Sequence, residues 1–340
     1  MTAAKPEALL LLPRLTVQNA NAISSPMTWG FPAPSAFTGF VHALHRRISH
    51  ELDLQLDGVG IICHHFEPQV SQPAGKRTQV FKLTRNPLDL PTLRKLPVEG
   101  KTASIVEEGR AHLRVSLLIG ASGTALDDEL PETLAHRLYE TANSMRLAGG
   151  SIVPDTSPLT DKQKPQILLL GNSSDEHEHR KKLLKLRQRL LPGFALVSRE
   201  AQLHQHWQQL LEKNPQASEL DALLDLSRLN IVPTPDEQGT PHWQPQPHSG
   251  YLVPIPAGYG ALSPLYEPGQ VRNARDPETP MRFVETLLTL GEWLSPHRVK
   301  IEKLHHLLWY HQATPETGLY RCTTPLFAQP PEKEHSHVQD

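Results

Sequence analysis

The sequence predicts an α+β fold, and three observations carry that prediction. Apolar residues recur at strand spacing in some segments and at helical spacing in others. Through the first half these segments alternate as strand, helix, strand, strand, helix, strand. The second half carries helical patterns separated by proline-rich connections. Ala8 to Leu12 is a short apolar run of the kind a buried strand requires. Phe37, Phe40, Val41, Leu44 and Ile48 recur at helical spacing behind Pro34, with Ser35 as the expected N-cap. Val59 to Phe66 follows the turn signal Asp57-Gly58, and His112 to Ile119 sets Leu113, Val115 and Leu117 on one face, so both read as strands. Leu126 to Leu147 reads as a helix stopped at Gly149-Gly150, and Gln166 to Leu170 as another short strand. That order is the order of a ferredoxin-like or RNA-recognition-motif core.

Lys181 to Leu191, Gln202 to Glu212, Glu219 to Leu229 and Phe283 to Leu294 read as helices. Pro233 to Pro247 holds five prolines and few apolar residues, so an exposed loop is expected there. Pro254 to Gly258 and Leu262 to Tyr266 read as irregular but packed, and the tail after Gln329 as disordered. The expected organisation is a core over residues 1–171 with a basic insertion at 67–109, a helical and irregular part over 172–329, and a tail at 330–340.

Composition narrows the function classes. A chain of 340 residues that is 38% hydrophobic can bury a large core. Two cysteines, Cys63 and Cys322, provide no disulfide framework, which fits a reducing compartment. The five apolar residues before Pro13 are too few for a signal-peptide core or a membrane span, so a cytoplasmic protein is expected. A net charge of −2 gives no whole-molecule attraction to polyanions, and any nucleic-acid contact must rest on local patches.

Two such patches exist. Gly75 to Lys101 carries seven basic and two acidic residues within an excursion longer than an ordinary hairpin connection. Arg180 to Arg199 carries seven basic residues and no acidic ones, with Leu183, Leu186 and Leu190 on one helical face and Lys181, Lys182, Lys185 and Arg189 opposite. Ser173 and Glu176 stand at capping-box spacing ahead of it. Its cations suit either a phosphate-binding face or a solvated helix surface. Catalytic patterns are absent: there is no Walker-type phosphate loop, no Gly-x-Ser-x-Gly elbow and no Cys-x-x-Cys pair. Cys63, His64 and His65 sit on a predicted strand, where successive side chains alternate faces and cannot chelate together. His42 and His45 are three apart on the first helix but lack a third zinc ligand, and no cofactor is expected.

Longer stretches carry a resemblance. "PEALLLLPRL", "QNANAISSPMTWGFPAPSAFTGFVHAL", "LDGVGIICHHFEPQVSQPAGKRTQVFKLTRNPL", "IVEEGRAHLRVSLL", "MRLAGGSI", "RQRLLPGFALVSRE", "LVPIPAGYGALSPLYEPGQVRNARDPETPMRFVE" and "LGEWLSPHRV" together resemble the Csy-two family, from about Pro6 to Phe327. Its members are the Cas-five-like subunit of type I-F CRISPR surveillance complexes. The resemblance implies a recognition-motif-like core with a thumb-like insertion, and a non-catalytic role in holding the 5′ handle of the CRISPR RNA. It implies as partners the large Cas-eight-like subunit, the Cas-seven-like backbone subunit and, through the complex, target double-stranded DNA. The basic excursion would belong to the thumb.

Single-stranded RNA is gripped by amides, arginine forks and flat stacking surfaces. The residues expected to bind it are Arg14, Gln18, Asn19, Asn21, Trp29, Phe31, Lys76, Arg77, Arg85, Asn86, Arg110, Arg146, Arg272, Asn273 and Arg275. Trp29 and Phe31 read three ways, as stacking platforms, as contacts with the large subunit, or as aromatics folded back onto the core. Arg110 and Arg146 read as phosphate ligands beside glycines, or as ion-pair partners of Glu107 or Glu108. The third core strand, "HLRVSLLIG", lacks the stacking aromatics of ordinary recognition motifs, so loops and thumb are expected to hold the RNA. Two other readings stay open: a metal-independent CRISPR RNA endoribonuclease with His42 or His45 as general base, and a pure protein–protein adaptor.

Overall fold

The computed structural model describes residues 5–85, 94, 98, 107–154, 159–171, 175–235, 240–246, 248–272, 274 and 276–327. The apolar run at the start opens a much longer strand, β1 (Ala8–Asn21). Ala8, Leu10 and Leu12 bury into one core while Leu9 and Leu11 bury into another, so β1 begins between two covered faces. Register shifts after Leu12 and after Val17 then bend it, with Arg14 and Asn19 in the left-handed region at φ 48° and 57°.

The other core elements are α1 (Pro34–Ile48), β2 (Gln55–Pro68), β3 (Arg110–Ser122), α2 (Pro131–Asn143), β4 (Gly150–Val153), a strand the sequence did not announce, and β5 (Gln166–Leu169). β1 pairs with β3 on one edge and with β5 and β4 on the other, and β2 pairs with the far side of β3, all antiparallel. α1 and α2 cover one face, packing Phe37, Val41, Leu44, Leu134 and Leu138 over Leu10, Val17 and Leu117.

The sheet does not stop at β2. β6 (Phe194–Ser198) adds to β2 through Phe194↔Cys63, and β8 (Val284–Leu294), β7 (Leu252–Ala261), β10 (Leu319–Thr323) and β9 (Tyr310–Thr314) continue it. Eleven described strands form one curled antiparallel sheet. α3 (Glu176–Arg189) and a 3₁₀ segment (Ile301–Leu307) cover the second face at its β5 end, where Leu183 and Leu186 meet Leu9, Leu11 and Leu118. α4 (Glu200–Lys213) and α5 (Glu219–Ser227) place Leu203, Leu223 and Leu226 on Leu290 of β8.

Several expectations need correction. Val284 to Leu294 is strand rather than helix: Thr289 to Glu292 are buried one after another, so both faces are covered and apolar residues need not alternate, while β-branched Val284, Thr286 and Thr289 favour extension. Pro254 to Gly258 lies within β7, where β10 pairs only from Gly258 onward, so the prolines need no donor on that edge. The part after residue 171 therefore holds five sheet strands as well as helices. Residues 233–247 include an exposed antiparallel hairpin, Asn230–Pro235 with Pro241–Gln246, instead of a plain loop.

Boundaries shift too. The second core helix starts at Pro131 and ends at Asn143, and Arg146-Leu147 already turns into a hairpin with β4. α1 is capped at Ala33, whose N–H donates to Ser24 Oγ at 3.1 Å, with Pro34 rather than Ser35 opening the helix. Asp175 caps α3 by accepting from the Glu178 N–H at 3.1 Å, while Ser173 and the tail after Gln329 lie outside the described residues.

Candidate nucleic-acid interface

α3 and the 3₁₀ segment leave part of the second face of β1, β2 and β3 uncovered. The uncovered part is a groove of about 660 Å³ lined by Arg14, Thr16 and Gln18 of β1, His64, His65 and Glu67 of β2, and His112 and Arg114 of β3, with Pro192 at its end. Register places Thr16, Arg114 and His65 in one row across the sheet, with His112 opposite Glu67 in the next. The expectation that Cys63, His64 and His65 alternate faces fails here. A register shift between Cys63 and His65 brings His64 and His65 to the same groove.

A hydrogen-bond chain fixes the groove wall. Arg14 N–H donates to the buried Ser116 Oγ at 2.9 Å. His64 Nδ1 lies 2.6 Å from Pro192 O, a carbonyl that can only accept, so Nδ1 carries the proton. Nε2 then accepts from Ser116 Oγ at 2.7 Å. Burial, with Arg14 and Arg114 nearby, pushes the His64 pKa below the ordinary imidazole value and keeps this tautomer neutral. The Arg14 guanidinium donates to Leu191 O at 3.0 Å. Arg14 and Arg114 are close enough to act on each other electrostatically. Glu67, the acidic residue of the lining, lies 3.8 Å from His65.

The other predicted residues are dispersed. Asn19 and Arg110 sit at the groove rim: Arg110 donates to Asn19 O at 3.2 Å and pairs with Glu108, and Gln69 donates to Asn19 Oδ1 at 2.7 Å. The Asn21 amide is occupied locally, donating to Ile23 O and accepting from the Ile23 N–H. Phe31 is folded onto the core against Phe37, Phe66 and Trp293, whereas Trp29 stays half exposed beside Phe81. Arg146 donates to Gly149 O across its own hairpin. Lys76 and Arg77 are exposed on a turn beyond the short pairing of Val70-Ser71 with Val80-Phe81. Arg85 pairs with Glu107 at 3.0 Å, and Arg272 is exposed. Asn86, Asn273 and Arg275 lie outside the described residues.

Comparison with known proteins decides the family. Residues 10–322 match the family model described as CRISPR-associated protein (Cas_Csy2). The chain is 58% identical over 335 residues to "CRISPR-associated protein Csy2" of Pseudomonas aeruginosa (strain UCBPP-PA14), covering 97% of this chain and 99% of that one. The chain belongs to the Csy2 family of CRISPR-associated proteins.

In this Csy2-family chain the second basic cluster is partly structural. Arg187 donates to Val299 O at 3.1 Å, Arg189 to Gln166 Oε1 at 2.7 Å, and Arg199 to the buried Glu292 at 2.5 Å. Lys181, Lys182 and Lys185 remain exposed on α3. Among the described residues no helix is long and apolar enough to cross a membrane, and no group of His, Cys, Asp and Glu is arranged to hold a metal. Of the groove residues, the sequence reading names Arg14 and Gln18 as RNA contacts but not Arg114, His64, His65 or His112. Their alternation on strands was visible, but the bulges that gather them were not.

Proposed function

We propose that this Csy2-family chain is a non-catalytic subunit of a type I-F CRISPR RNA-guided surveillance complex. In this reading it holds the 5′ handle of the CRISPR RNA, pairs with the large Cas-eight-like subunit beside the Cas-seven-like backbone, and serves target DNA recognition from the cytoplasm. Family membership across residues 10–322 is the observation that carries it. The strand order supports a ferredoxin-like core: β5 and β3 flank β1, and β2 lies beyond β3. The exposed Lys76 and Arg77 on the turn after β2, and the half-exposed Trp29 beside Phe81, suit a single strand that offers phosphates and unstacked bases.

The test is ultraviolet crosslinking with mass spectrometry on the complex co-purified with CRISPR RNA. Handle nucleotides are expected on peptides spanning residues 18–31, 76–85 or 272–275. RNA crosslinks confined to neighbouring subunits would replace this reading with that of a protein–protein adaptor.

A further inference from the structure

We propose that the open part of the sheet face is itself an RNA-binding surface, in which Arg14 and Arg114 hold a backbone phosphate while Gln18, His65 and His112 meet the adjoining sugar and base edges. The proposal rests on the reading that this chain binds CRISPR RNA, and it moves the contact from loops and projection onto the sheet.

Charge is the first argument. Arg14, in the register shift of β1, and Arg114, opposite Thr16 on the adjacent strand, line the same groove and repel each other. Among the described residues the Arg114 side chain makes no hydrogen bond or ion pair, and it is exposed. A phosphodiester between the two guanidinium groups would turn their repulsion into charge-assisted hydrogen bonding on both sides.

Pre-organisation is the second argument. Arg14 is held in the left-handed backbone region by the chain from its own N–H through Ser116 and His64 to Pro192 O. A non-glycine residue persists there only where its surroundings over-determine it, and such positions cluster at ligand clamps. Gly193 completes the fit, since a Cβ at that position would lie 2.8 Å from His64 Nδ1. The third argument concerns the ligand class. The lining sets guanidinium, imidazole, amide and hydroxyl groups among apolar surface that includes Leu113 and Pro192, with Glu67 at its edge. Single-stranded RNA matches it, because imidazole rings can stack on splayed bases and amides bond to base edges and 2′-hydroxyls. With α3 covering the neighbouring part of the face, the strand is confined to the groove and its rim at Asn19 and Arg110.

The experiment uses the full-length chain co-expressed with its operon partners but without CRISPR RNA, titrated with a synthetic RNA of the 5′ handle sequence at several salt concentrations. Arg114→Gln is expected to weaken binding roughly five-fold or more and to reduce the slope of log K against log salt by about 0.7, the loss of one phosphate contact on a single strand. Its melting temperature should be no lower than wild type, because the Arg114 side chain makes no structural bond and its loss relieves the repulsion with Arg14. If Arg114→Gln binds as wild type while Lys76→Ala/Arg77→Ala does not, the groove proposal is overturned and RNA binding stands. Wild-type protein that captures no RNA overturns both. As a measurement independent of any variant, crosslinks to the photoactivated RNA are expected on the peptide carrying His112 and Arg114, and their absence would count against the groove.

Discussion

Ser116 shows how much can depend on one small side chain. Its hydroxyl accepts from Arg14 N–H and donates to His64 Nε2, so it joins β1, β2 and β3 beneath the groove. The arrangement requires neutral His64, whose pKa is lowered by burial, with Arg14 and Arg114 adding to the effect. His305, on the 3₁₀ segment, is pushed down to about 4, first by burial and then by His306 and Lys5. A histidine whose folded pKa lies below its unfolded value of about 6.5 contributes stability above that value and loses it as pH falls, because the unfolded chain binds the extra proton. The melting temperature should therefore drop as pH is lowered from about 6.5 toward 4. His64→Gln, which cannot titrate, should show a shallower drop over the upper part of that window. Parallel wild-type and variant profiles in thermal melts would show that His64 is not a source of the acid sensitivity. At this scale the sequence was half legible: Arg14 and Gln18 stood out as a cation and an amide near a turn, whereas the gathering of His64, His65 and Arg114 depends on bulges that no local signal announces.

Among the elements, β8 is where sequence pattern and structure diverge most, and also where the extended sheet is most vulnerable. It lies between β6 and β7, with Leu290 buried beneath α4 and α5. Its Glu292 is only 1% exposed and takes its charge partner from Arg199, which opens α4 and stacks over Phe327 at 3.5 Å. Removing one member of a buried pair leaves the other charge without compensation, at a cost of about 3–5 kcal/mol. Arg199→Ala should lower stability by that order in urea melts and loosen α4 first, seen as faster amide exchange across residues 200–213. A combined Arg199→Met/Glu292→Met change should recover most of the loss, since an apolar pair of similar volume avoids the desolvation term. A single variant as stable as wild type would mean that solvent reaches Glu292 freely. The physics also explains the misreading. Core helices and most core strands in the first half were legible because they have one buried face and a clean period, while β7 is interrupted by prolines and β8 has consecutive buried residues, and the two pair across a long connection. The arginines at 187, 189 and 199 looked like one basic surface because the carbonyls and carboxylate that occupy them also come from distant segments.

Over the whole molecule, charge and apolar exposure point the same way. The net charge is −2 and the pI about 6.8, so near neutral pH there is little self-repulsion to keep copies apart. Folding buries Ile255 and Ala257 of β7, yet Leu262 and Leu265 just beyond it stay exposed, as do Leu229, Ile231 and Trp243 on and beside the hairpin. That hairpin is nearly all solvent-facing, and a two-stranded ribbon without packing is marginal in water. On the proposed reading of the chain as a complex subunit, apolar groups displayed on this under-supported element would be covered by another protein. The chain expressed alone is therefore expected to self-associate, and co-expression with the large subunit should give a soluble complex of defined mass in size-exclusion chromatography with light scattering. Leu229→Ser/Trp243→Ser should make the isolated chain more soluble while weakening capture of that subunit by roughly 30-fold, the scale of one lost hot spot of about 2 kcal/mol. The double change separates two causes of insolubility, because a misfolded core would be unaffected by polar residues on an exposed ribbon. A monodisperse wild-type monomer at neutral pH would show instead that the near-neutral surface suffices, and would leave the hairpin without a claim to the partner interface.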